Sequence, residues 1–233
     1  MNDEERLEQI LALREQKLTP KEIARLLGLR PGEVSALLKL QAERTTMQRQ
    51  AAGEGDPLLE CLAGGSLATV FPTMLNRLLP AKDDLRSGLF TVVVARQAAY
   101  NRISVCSYLV DIWCLGVKNA LGPRKMNADA YTEFVRVGSE NYLDGYSEIT
   151  LEQAQAIIFS AIEYARTLGF EPHRDFKAAE AHLGHWDGKL RIQCGYQGRP
   201  RYVEGPYDNV ARILKTLDES VGPGNYGVLL GRS

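Results

Sequence analysis

Apolar residues recur at helical spacing through the first fifty positions: Leu7, Ile10, Leu11 and Leu13, then Ile23 and Leu27, then Val34 and Leu37. This pattern predicts three short helices that each bury one face. Thr19 followed three residues later by Glu22 is a capping box for the second helix. Ala24 is small enough to let two helices approach, and Gly28 can take the left-handed conformation of a sharp turn. Pro31 suits the first turn of the third helix, where its missing N–H has no partner to lose. That helix can run on through Leu40 and Met47, because no breaker appears before GEGDP at residues 53–57.

Beyond that break the pattern changes several times. PLLECLAGGSLATVFPTMLNRLLP (57–80) reads as short helices, with Met74, Leu75, Leu78 and Leu79 among its apolar positions. Val92–Val94 and Ile103, Val105, Tyr108 and Val110 read as two strands of an antiparallel hairpin turning near Ala99 to Asn101. CLGVKNALGPRKM (114–126) reads as a loop leaving the sheet. A weakly patterned helix is expected over 127–141. A clearer one is capped by Thr150 and Gln153 and ends at Gly169, and a third spans 175–183. Residues 190–194 and 201–204, flanking GYQGRP, read as a second hairpin. Asp208 is expected to cap a last helix, and residues 225–230 to return as a strand. The expected organisation is an all-α three-helix unit at 1–44, a linker at 45–56 and an α+β domain at 57–233. The latter has about five mainly antiparallel strands and covering helices.

Residues 20–39, PKEIARLLGLRPGEVSALLK, resemble the helix-turn-helix of bacterial repressors, with equivalents of its Ala, Gly and Val positions at Ala24, Gly28 and Val34. The resemblance implies DNA contact through the helix that begins near Pro31. Its outward positions are Arg30, Gly32, Ser35, Ala36 and Lys39, of which Arg30, Ser35 and Lys39 suit base edges or phosphates. The phrases LVDIWCLGVKNA, EYARTLGFEPHRDFKAAEAHLG and RYVEGPYDNVARILKTLDESVGPGNY resemble an uncharacterised bacterial protein family over roughly 57–230. That resemblance implies one coherent domain and a bacterial origin, and it transfers no catalytic residue.

Composition narrows the function. The 233 residues are 45% hydrophobic and 24% charged with a net charge of −1, so the chain is not a polybasic protein. No apolar run approaches the roughly twenty residues of a membrane span, and MNDEERLEQ is unlike a secretory leader. A cytoplasmic protein without a membrane partner is the expectation. Cys61, Cys106, Cys114 and Cys194 are too scattered for a zinc ribbon or redox pair, which predicts reduced thiols. Near-balanced charge in the first fifty residues makes the diffuse attraction to DNA weak for one copy. A homodimer is therefore expected.

Several residues could carry chemistry. Asp111, Cys114 and Lys118 lie at the end of the first hairpin; with His173 and Asp175 they could form a thiol nucleophile, its base and the orienting carboxylate. A structural alternative stands beside this: a buried thiol, an Asp111–Lys118 pair and a capping Asp175. Asp111, Asp175 and Asp208 could hold magnesium for nuclease chemistry, although no known spacing joins them. His182 and His185 with His173 or Cys194 could begin a zinc site, but Gly184 interrupts the helix and surface histidines fit better. Gly205, Pro206 and Tyr207 precede a helix start where an anion could sit, opposed by Asp208. GPGN at 222–225 reads as a turn, neither a dinucleotide fingerprint nor a P-loop of the pattern GxxxxGK[ST] is expected, and Trp113, Tyr142 and Trp186 read as packing aromatics. No cofactor or metal is expected, and no small-molecule ligand is specified. The leading expectation is a DNA-binding protein of the regulator type whose α+β domain senses or oligomerises. An enzyme delivered by its helix-turn-helix (a thiol-dependent hydrolase or transferase, or a metal-dependent nuclease) and a protein-binding adaptor are the alternatives.

Overall fold

A computed structural model describes residues 3–16, 18–51, 55–71, 88–99 and 101–231. The chain divides into two compact units, Met1–Pro57 with Gln97–Ile103, and Leu58–Arg96 with Ser104–Ser233.

The first unit holds α1 (Asp3–Glu15), α2 (Pro20–Leu27) and α3 (Pro31–Ala51). Ile10, Ile23, Ala24, Val34 and Leu38 are buried together, with Leu13, Leu18, Leu27, Leu29 and Leu37 packed around them. Each helix contributes to that core, which is what the apolar spacing requires. Helix α3 has 21 residues and is about 31 Å long, so it continues through positions 45–51 of the expected linker.

The second unit is built on a five-stranded antiparallel sheet in the order β4-β3-β2-β1-β5. The strands are β1 (Leu58–Gly64), β2 (Leu89–Ala99), β3 (Arg102–Asp111), β4 (Gly116–Met126) and β5 (Ser147–Ile149). Strand β1 pairs with β2 in the register Cys61↔Val94 and with β5 in the register Cys61↔Ile149. Short α4 (Leu67–Val70) follows β1, and α5 (Ala128–Ser139) follows β4 with Asn127 as its side-chain cap.

Helix α6 (Leu151–Thr167) lies across one face, burying Ala154, Ile157, Ile158 and Ala161 among Val92, Val94, Cys106, Tyr108 and Val110. At Gly116 (φ +67°) a Cβ would come within 2.8 Å of the Ala165 methyl, so the helix and β4 meet where a side chain has no room. Helix α7 (Phe176–Ala179) runs into a 3-10 turn at Glu180–Leu183. That segment is tied to the core by the Tyr108 hydroxyl donating to the Ala179 carbonyl at 2.8 Å and by Gln155 Nε2 donating to Leu183 O at 2.8 Å. Strands β6 (Arg201–Val203) and β7 (Gly227–Leu229) form a separate parallel pair, and α8 (Val210–Ser220) packs Leu217 against Tyr202, Leu168, Leu115 and Cys114.

Four local expectations are corrected. Residues 58–64 form β1, not a helix; only 67–70 are helical among the described part of that stretch, and residues 74–79 lie outside it. Residues 116–126 are strand β4, not a departing loop. GYQGRP closes a tight turn with one isolated bridge, Tyr196↔Arg199, and no second hairpin forms; residues 201–203 pair in parallel with 227–229 instead. Asn209, not Asp208, caps α8, with its Oδ1 accepting from Arg212 N at 3.1 Å.

Candidate functional site

In the first unit, local chemistry sets the angle between α2 and α3. Thr19 N–H donates to Glu22 Oε2 at 2.7 Å and Glu22 N–H returns to Thr19 Oγ1 at 3.4 Å. The Glu22 carboxyl is held below its usual range by these bonds to Thr19. Gly28 sits at φ 65° and ψ 29° with its N–H on the Ala24 carbonyl, and Leu29 N donates to the same carbonyl at 2.9 Å. The chain can then turn into α3 within two residues. Glu33 folds back so that Arg30 N–H donates to its Oε2 at 2.9 Å. Along α3, Val34 and Leu38 face inward, while Gly32, Ala36 and Lys39 are exposed and Ser35 is half-buried; Arg30, immediately before the helix, is exposed. The Lys39 ammonium, 70% exposed, lies 3.9 Å from the Glu43 carboxylate. A loose exposed pair of this kind leaves the cation available to other anions.

In the second unit, Asp111 closes the turn from β3 into β4. Its Oδ1 accepts from Trp113 N at 2.8 Å and Cys114 N at 3.2 Å, and its Oδ2 accepts from Leu115 N at 3.2 Å. Burial pushes its carboxyl up to about 6 even though the three N–H groups and Lys118 pull the other way. Lys118 turns to a different acid: its Nζ lies 2.8 Å from Asp208 Oδ2, with both side chains largely buried. That same oxygen accepts from Gly205 N at 2.9 Å and from the Tyr202 hydroxyl at 3.2 Å. The turn before α8, read as a possible anion cradle, is thus occupied by the chain's own carboxylate.

Cys114 is fully buried beneath α8, and its thiol is pushed far above the ordinary value by burial and by the Asp111 and Asp208 carboxylates. A nucleophilic cysteine needs the opposite environment. His173 Nδ1 accepts from the Asp175 backbone N–H at 3.4 Å and lies 3.6 Å from the Asp175 carboxylate, in a partly exposed loop that the His173 backbone N–H anchors to the Val117 carbonyl. No hydrogen bond joins Cys114 to His173 or Asp175, so the five side chains separate into a buried turn with its ion pair and an outer His–Asp pair. Asp175 stands at the N-terminus of α7 without a side-chain cap bond.

The other ligand sets do not assemble. His182 is buried, its Nε2–H donating to the Ser104 carbonyl at 3.1 Å, whereas His185 is exposed. Among the described residues no three His, Cys, Asp or Glu side chains gather as metal ligands. Cys194 is pushed up to about 12 by burial and by the Asp111 and Glu163 carboxylates. Gly222, Gly224 and Gly227 do match the spacing GxGxxG. They run from the end of α8 into the first residue of β7, helix before strand, which reverses the order a dinucleotide fingerprint requires.

One arrangement escaped the sequence reading. The Arg201 guanidinium lies 4.1 Å from the Tyr196 ring centroid and 5.4 Å from that of Trp113, while the two rings meet edge to face at 5.0 Å. Arg201 and Tyr196, with Trp113 buried behind them, border an open depression of about 630 Å³ that also includes Arg199, Tyr226 and Gly227. The alternation Arg199, Pro200, Arg201 after a tyrosine was its only sequence signal.

The fold is a mixed α+β protein: N-terminal helices, then an antiparallel five-stranded sheet with helices. Comparison with protein-family models, curated proteins and solved structures finds no match to this chain.

Proposed function

We propose that the protein binds double-stranded DNA through its first unit, with α2, the Gly28 turn and α3 acting as a helix-turn-helix of the bacterial repressor type. In this reading the protein is a cytoplasmic regulator, and the α+β unit senses a ligand or holds two copies together. One observation carries it: α3 keeps Val34 and Leu38 in the core while Lys39 on it and Arg30 just ahead of it stand exposed. A recognition helix must divide its sides in this way to be held rigidly and still reach base edges and phosphates. The turn geometry at Gly28 supports the same reading, because it brings α3 across α2 with a short connection.

Three side chains make a sparse reading head, and Glu33 adds a carboxylate in the first turn of the same helix. Two copies on a symmetric site would double the contacts, which is why a homodimer belongs to the proposal. The test is selection of bound duplexes from a random pool, followed by binding measurements on the recovered site. The Arg30→Ala/Lys39→Ala variant is expected to lose at least about tenfold in affinity. Full affinity in that variant, with its fold intact, would remove α3 as the reading head.

The enzymatic alternative finds less support. Its proposed nucleophile, Cys114, is buried, holds its proton and has no base in hydrogen-bond reach.

A further inference from the structure

The depression around Arg201 has features that neither the core nor the first unit calls for. Its floor is fixed by backbone bonds: Gly195 N donates to Ile112 O at 2.9 Å, Tyr196 N to Arg199 O at 2.7 Å, and Arg201 N to Trp113 O at 3.2 Å. In β6 the middle residue, Tyr202, is fully buried, so Arg201 projects from the opposite face. There its guanidinium carbon lies over the Tyr196 ring at 4.1 Å and the Trp113 ring at 5.4 Å, in a side chain that is half-buried. Among the described residues neither Arg199 nor Arg201 forms an ion pair with a carboxylate. Tyr226 closes the far side, its ring held by a 2.7 Å bond from its hydroxyl to Asp218 Oδ1. Directly across the parallel pair from Arg201 is Gly227, whose missing side chain keeps the space beside the guanidinium open. A Cβ there would touch only Arg201, at 3.5 Å from its Cγ and 3.9 Å from its Cβ.

We propose that this depression binds a nucleotide unit, with Arg199 and Arg201 receiving the phosphate and the Tyr196 and Tyr226 rings receiving the base. A planar guanidinium fork suits two phosphate oxygens at once, and aromatic faces accept any base. The volume falls within the range of small-ligand clefts, and the open rim lets a strand pass through. The nucleotide can therefore come from single-stranded nucleic acid or from a free mononucleotide. The inference rests on the second unit alone and does not depend on the helix-turn-helix reading.

The experiment is fluorescence anisotropy of the full chain with a short labelled oligothymidylate at low salt, with unlabelled thymidine monophosphate and oligoglutamate as competitors. Arg201→Gln removes the charge and the stacked plane. Gly227→Leu fills the space without touching a charge or a strained backbone position. Each is expected to weaken oligothymidylate binding by about fivefold or more, while the Arg30→Ala/Lys39→Ala variant keeps it within about twofold. Displacement by the monophosphate at comparable concentration assigns a free nucleotide as the source; displacement only by the oligomer assigns the polymer. The proposal falls if the wild-type chain binds neither nucleotide probe, if both depression variants bind like the wild type, or if oligoglutamate competes as well as the oligonucleotide. A duplex-binding failure with oligothymidylate binding retained would sink the reading of the first unit and leave this one standing.

Discussion

Asp111 carries a charge that is met by three backbone N–H groups inside a buried turn. Its carboxyl titrates near 6 in the folded chain against an ordinary value of 3.8, because burial outweighs those bonds. Between about pH 4 and 6 the folded chain holds a proton that the unfolded chain has released, so stability falls as pH rises through that window. The full cost at neutral pH is on the order of 3 kcal/mol. Urea unfolding across this range should show the decline in the wild type and lose it in Asp111→Asn. The variant should also be less stable below about pH 4, since its amide turns a donor toward Leu115 N–H and strands that group. A variant with the wild-type slope would mean another group titrates there. Cys114 belongs to the same turn, and its buried thiol should react with an aromatic disulfide reagent in the native state far more slowly than in urea. Rapid native labelling at that position would reopen the case for a nucleophile.

Among the elements, α2, α3 and α6 are legible in the sequence because local signals suffice. Thr19 with Glu22 and Thr150 with Gln153 form the capping boxes their spacing predicts, and Gly28 adopts the left-handed turn. A Cβ at Gly28 would meet nothing within 4 Å. Gly28→Ala should therefore cost only its backbone strain, about 1–2 kcal/mol, read as a lower melting temperature of the first unit. A neutral substitution would show that the turn relaxes. Strands β1 and β4 were missed because LLECLAG and GVKNALGPRKM are poor in branched residues and hold Gly, Asn or Pro. They are strands because β2 and β3 offer hydrogen-bonding edges, and Pro123 is tolerated since β4 is the sheet's edge. The Lys118–Asp208 pair could not be read either, as ninety residues separate the partners. Removing one charge, as in Lys118→Met, should cost about 3–5 kcal/mol because Asp208 is left partly buried and uncompensated. The Lys118→Met/Asp208→Leu double variant should recover part of that loss in a chemical-unfolding cycle; a purely additive result would make the pair energetically idle.

For the whole molecule, a net charge of −1 means that the proposed DNA binding would have to come from a few placed cations rather than from a general field. If α3 reads duplex DNA with Arg30 and Lys39 on phosphates, the logarithm of the binding constant should fall with the logarithm of salt concentration at a slope near −2 per copy, and about twice that for a dimer. A slope of zero would be incompatible with phosphate contact by either residue. Sedimentation at the concentrations used for binding tells which slope applies.

Helix spacing, capping pairs, the Gly28 turn, the β2–β3 hairpin and the apolar run of α6 were determined by the sequence, since each depends on residues close together in the chain. Tertiary structure decided which poor strand formers became strands, that 201–203 pairs with 227–229, and that Lys118 meets Asp208 while Asp111 meets backbone. It also decided that Cys114 is sealed away and that Arg201 lies on two aromatic rings. These outcomes depend on burial and on partners distant in sequence, and neither is encoded in any local spacing.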